Sequence, residues 1–138
     1  MAHVQRYYIN EILKEVCQRM GDITGTVFPD HRPSAKNEQM KEMIVVSVPQ
    51  ELLDENAWQR GVLRIELMVK DQSNGYTDMN RLNAMLNVAI GKFPIVTDRF
   101  SATRPRLLLK GSDGLGFTVW LIQAKLIINT TDSYVYNK

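Results

Sequence analysis

The side chains with the strongest claim to chemistry in this sequence are two carboxylates, Asp30 and Glu66. A metal-dependent nuclease of a common type uses an aspartate followed by a Glu-x-Lys on a strand. The acids hold the divalent ion and the lysine steadies the attacking water. Glu66 opens such a tripeptide, but its third residue is Met68. The pattern breaks where the lysine belongs, and a charge on the wet face of a strand is ordinarily just solvated. The two histidines, His3 and His31, are distant in sequence and belong to no Cys/His/Asp set at ligand spacing. His31 beside Asp30 suits a base or a metal ligand, yet a loop histidine is more often solvated.

Nucleophiles and phosphate cradles fare no better. Cys17 sits in a helical pattern and reads as a small core residue. Ser47 lies in an apolar strand, and no Gly-x-Ser-x-Gly elbow exists. The glycine-rich run Gly111 to Gly116 (GSDGLG) leads into β-branched and aromatic residues, so it reads as a hairpin loop. A phosphate cradle needs a helix N-terminus after its glycines. Ser73 to Tyr76 (SNGY) does join strand to helix, but holds one glycine and no Gly-Lys-Ser/Thr. Arg99, Arg104, Arg106 and Lys110 form a local basic bias near Phe100, without a nucleic-acid-binding motif around them. No catalytic, cofactor-binding or metal residue is assigned, and no cofactor is expected.

The elements that position these residues centre on Gly61 to Pro94. Leu63, Ile65, Leu67 and Val69 alternate with Arg64, Glu66, Met68 and Lys70, the period of a strand. Met79, Leu82, Leu86, Ala89, Ile90 and Phe93 then recur at helical spacing. Thr77 is the expected N-cap, Gly91 the expected C-terminal cap, and Pro94 the stop. Upstream, Val4 to Met20 reads as a helix with Gly21 in the left-handed cap position. Ile23 to Phe28 and Met43 to Val48 read as strands, the second in the sheet interior because it is nearly all apolar. Gln50 to Arg60 reads as a linker with a helical turn at Glu51 to Glu55. Downstream, Ile95 to Pro105 reads as a loop, and Leu107 to Lys110 and Phe117 to Asn129 as strands. In the last strand Trp120, Ile122, Ala124, Leu126 and Ile128 share one face. Val119, Leu121, Gln123, Lys125 and Ile127 share the other, with apolar area to spare.

The fold class this predicts is α+β: a mixed, mostly antiparallel sheet of about five strands with two main helices packed on it. One domain over 1–138 is expected, with a flexible arm at 30–41 and a loose C-terminal tail at 130–138. With 44% hydrophobic residues the chain can bury a core, and a formal net charge of +2 gives no strong field for nucleic acid or membrane. A single cysteine suits a reducing compartment. No apolar run approaches the ~18 residues of a membrane span, and the N-terminus has no secretory h-region.

The order helix, short strand, polar arm, strand, strand, helix, strand, strand resembles the tail-terminator (tail-completion) proteins of long-tailed bacteriophages and prophages. The resemblance is carried by GVLRIELMVKD, QSNGYT and DMNRLNAMLNVAIGKFPI followed by a glycine-hinged hairpin. It is one of architecture over most of the chain. It implies a non-enzymatic structural protein of the virion tail, assembled in the bacterial cytoplasm. It implies a homo-oligomeric ring, in that family a hexamer, that caps the tail-tube protein and joins it to the head–tail connector. No nucleic-acid sequence recognition and no membrane partner are implied, and no catalytic residue is carried over. The alternatives are a small metal-dependent nuclease using Asp30 and Glu66, or a ligand- or peptide-binding module using the mixed sheet face.

Overall fold

The computed structural model describes residues 9–31, 40–48, 53–54 and 58–129. The expected start of the first helix, the residues of the arm between 32 and 39, His3, most of the expected turn at 51–55 and the tail from 130 onward lie outside the described residues.

Helix α1 (Ile9–Met20) forms because Ile12, Leu13, Val16 and Met20 make one buried stripe. On its outer face Arg19 Nε donates to Glu15 Oε2 at 2.9 Å, one turn away. The helix closes without a left-handed residue: Gly21 is absent from the positive-φ glycines, and its N–H donates to the Gln18 carbonyl at 3.2 Å. Helix α2 (Met79–Gly91) is capped by Asp78, not Thr77, the carboxylate accepting from the Arg81 N–H at 3.2 Å. Its C-cap is Lys92, in a right-handed conformation, so Gly91 is an ordinary helical residue. A cis Phe93–Pro94 bond follows.

The strands are β1 (Val27–Pro29), β2 (Glu42–Ser47), β3 (Leu53–Asp54), β4 (Trp58–Lys70), β5 (Ile95–Val96), β6 (Phe100–Ser112) and β7 (Phe117–Asn129). Six run in the order β1-β2-β4-β7-β6-β5, and the two-residue β3 pairs with β4 outside that path. Among the described residues only the β1–β2 pair is parallel. The class is α+β as expected, with a mixed sheet that curves into a half-barrel. The strand count exceeds the expected five because the two-residue strands β3 and β5 carry no readable periodicity. Pro105 hides the first half of β6, which is longer than expected. Thus the expected loop over Ile95 to Pro105 is a correction: β5 and the first half of β6 occupy it. β2 does sit in the interior, between β1 and β4, with Met43 to Ser47 all buried.

Both helices pack on one face. Ile12, Val16 and Met20 of α1 and Leu82, Met85 and Ala89 of α2 join Ile44, Val46, Leu63, Ile65, Leu67, Ile122, Leu126 and Ile128 in one core. The other face has a smaller cluster, Met43, Val45, Met68, Phe117 and Val119, with Phe28 and Met40 against it. Arg81 ties the layers together. Its guanidinium meets the Glu42 carboxylate at 2.7 and 2.6 Å and the Ile23 carbonyl at 3.0 Å. A fork of two N–H groups on one carboxylate is the strongest pairing a carboxylate makes.

Candidate assembly surface

Among the described residues the helices do not cover the sheet. At 12 and 13 residues each is roughly 20 Å long. The central strands β4, β7 and β6 have 13 residues each and span roughly 40 Å. What is left uncovered is the distal β6–β7 hairpin. Beyond Ala102, β6 has no strand on its outer side among the described residues, because β5 pairs only with Ser101 and Ala102. Leu107 and Leu109 stand opposite Ile122 and Trp120, and Leu108 opposite Leu121. Their partners on β7 are buried, yet Leu109 is 66% exposed and Leu115, in the loop, 64%. Three exposed leucines on an open strand edge, with a fourth in the adjoining loop, are a ready contact for another chain.

The loop that holds this hairpin is built as GSDGLG promised. Asp113 Oδ1 accepts from the Leu115 N–H at 2.7 Å and the Phe117 N–H at 3.0 Å. Gly114 and Gly116 have φ near +79° and +90°, which glycine adopts without steric cost. The other glycine turn, between β4 and α2, is closed by Asn74 Oδ1 accepting from the Tyr76 N–H at 3.0 Å.

The structure corrects where the surplus apolar area lies. Sequence reasoning placed it on the mixed face of β7, but Val119 and Leu121 there are buried, at 5% and 4% exposure. The area is on β6 instead. The signal was the run Leu107–Leu108–Leu109, which breaks the alternation a half-buried strand needs.

The two carboxylates of the nuclease pattern do come together. Asp30 and Glu66 line one cavity of about 350 Å³ on the helix-free face, with His31, Met68, Lys110 and Ser112. Each is engaged by a close neighbour. Asp30 Oδ2 lies 3.0 Å from His31 Nδ1 in an exposed pair, and Glu66 lies 3.7 Å from Arg64. Among the described residues no three of His, Cys, Asp and Glu are grouped to hold a metal ion. Cys17 packs against the main core, and burial pushes its thiol up from the ordinary value. Ser47 is buried on β2 opposite Arg64. The basic quartet is split. Arg99 pairs with Glu11 at 3.0 Å and Phe100 is buried in the core. Lys110 joins the carboxylate cavity, and Arg104 and Arg106 line a different one.

No protein-family model matches the chain. No curated protein matches it either. Among solved structures it is similar to a chain from the virion of a native gene transfer agent particle. The TM-score is 0.55 at 11% identity, covering 91% of this chain and 99% of that one. At this identity the likeness is one of fold, and it takes in nearly the whole of both chains.

Proposed function

We propose that this chain is a structural protein of a phage or phage-like virion, and within that class a tail terminator. Copies assemble into a ring that ends the tail tube and joins it to the head connector. The observation that carries the reading is the end-to-end match of this fold to a chain of a virion, over 91% of one and 99% of the other. The uncovered leucines of β6 supply what a ring subunit needs, an apolar edge to bury against another copy. On this reading the protein is not an enzyme, and it resides in the virion tail after assembly in the bacterial cytoplasm. Deleting its reading frame from the phage or prophage that encodes it, then imaging the particles, tests this. Tails of uncontrolled length, detached from heads, are expected. Normal tails joined to heads would contradict it.

A second reading, a metal-dependent nuclease, rests on the shared cavity of Asp30 and Glu66 with Lys110 nearby. Incubation with plasmid DNA and Mg²⁺ or Mn²⁺ decides it, since an uncut plasmid removes the nuclease.

A further inference from the structure

We propose that a cationic groove between β4, β7 and β6 binds the phosphates of a nucleic-acid backbone without reading its sequence. The groove, about 280 Å³, is lined by Arg104, Arg106 and Lys125 over a floor that includes Gly61 and Val62. Among the described residues its lining contains no carboxylate. Three like charges on two adjacent strands, β6 and β7, whose backbones lie roughly 5 Å apart, repel one another unless an anion lies between them.

The backbone is shaped to assemble this set. Between Thr103 and Arg106 the β6–β7 register shifts, so that Arg104 and Pro105 stand in a bulge. Arg104 is held there at φ 54°, a left-handed conformation that is costly for a side chain with a Cβ. Bulges of this kind bend a strand and re-aim its side chains, and here Arg104 and Arg106 end up lining one groove. Arg106 is steadied from across the strand pair: its Nη2 donates to Gln123 Oε1 at 2.9 Å. A guanidinium has five N–H donors in a fixed fork, so this one bond leaves Arg106 with donors for a bidentate phosphate contact.

The partner chemistry follows from what lines the groove and what does not. Two guanidinium groups and an ammonium suit phosphate oxygens. Among the described residues no aromatic side chain lines it to stack on a base, so the contact proposed positions a backbone and carries no sequence information. The proposal does not depend on the assembly reading. The groove is a separate feature from the leucines of β6.

The test is fluorescence anisotropy of the full chain with labelled duplex DNA of two unrelated sequences. Three phosphate contacts per chain give a log–log salt slope of about −2.7, or about forty-fold weaker binding between about 50 and 200 mM salt. Both duplexes bind alike. Lys125→Glu, at an exposed position, and the triple variant Arg104→Ala/Arg106→Ala/Lys125→Ala each weaken binding at least ten-fold. A melting curve checks that each variant is folded, and Lys14→Ala, on helix α1 beside β1 at the opposite edge of the sheet, leaves binding unchanged. Inorganic phosphate and polyglutamate are the competing probes. Displacement by millimolar phosphate alone would mean a free-anion site, and tighter binding of polyglutamate would mean an acidic protein partner. Either result, or DNA binding that the variants do not change, would overturn the proposal.

Discussion

At the residue scale, the best-defined polar interaction is the Arg81–Glu42 fork, which joins α2 to β2 across 39 positions of sequence. Its effect on stability has a definite sign. Hydrogen bonding to Arg81 holds the Glu42 carboxyl below its ordinary value, with burial opposing. A carboxyl depressed in the folded state adds stability above the unfolded value, about 4.3 for glutamate. That stability is lost as pH falls through the folded value. Arg81→Met should therefore lower stability by about 1 kcal/mol at neutral pH, a modest figure because both side chains are partly exposed. It should also flatten the fall in melting temperature on the acid side of about pH 4.3. Melting curves across a pH series check this, and an acid dependence identical to that of the unaltered chain would contradict it. None of this was legible in the sequence. Arg81 and Glu42 each look like solvated surface charges until the fold brings them together. Asp30 and Glu66 were legible as a pair and do share a cavity, but the missing lysine at Met68 remains missing on that strand.

At the scale of elements, periodicity decided what could be read. The alternation of Leu63, Ile65, Leu67 and Val69 and the stripe of Met79, Leu82, Leu86, Ala89, Ile90 and Phe93 named β4 and α2. The β4 residues, Leu82 and Ala89 fill the core and Leu86, Ile90 and Phe93 pack against it, whereas Met79 is exposed. Caps were read less well. Thr77 and Asp78 both have cap chemistry, and only the backbone shows which side chain reaches the Arg81 N–H. β6 was half-seen, since Pro105 and the flanking arginines look like a loop, whereas a bulge lets the strand carry them. Two predictions belong here. Leu67→Ala, at a fully buried site between the layers, should cost about 2–5 kcal/mol in chemical denaturation. Asp113→Ala removes the acceptor of two loop amides and should cost about 1 kcal/mol. Faster exchange of the Leu115 and Phe117 amides would accompany it, and unaltered exchange there would count against the role given to Asp113.

At the scale of the whole molecule, class and layering followed from the sequence because two amphipathic helices and several half-buried strands have few ways to hide their apolar faces. The outward surface did not follow, because exposure of Leu107 to Leu109 depends on how far two short helices reach along long strands. On the proposed reading, that surplus edge is where one copy meets another. Leu109→Ser should shift melting by no more than about 0.5 kcal/mol, since the side chain is 66% exposed. It should nevertheless weaken self-association, read by sedimentation velocity. A variant that melts normally and associates normally would remove the β6 edge from the account.

The central claim, that copies of this chain close into a ring, is tested most directly by light scattering on size-exclusion peaks over a wide concentration range. The account predicts a discrete species at a fixed multiple of the 15.8 kDa chain, six-fold for a terminator hexamer, which the Leu109→Ser variant loses. A 15.8 kDa species at every concentration, for the unaltered chain and the variant alike, would contradict it.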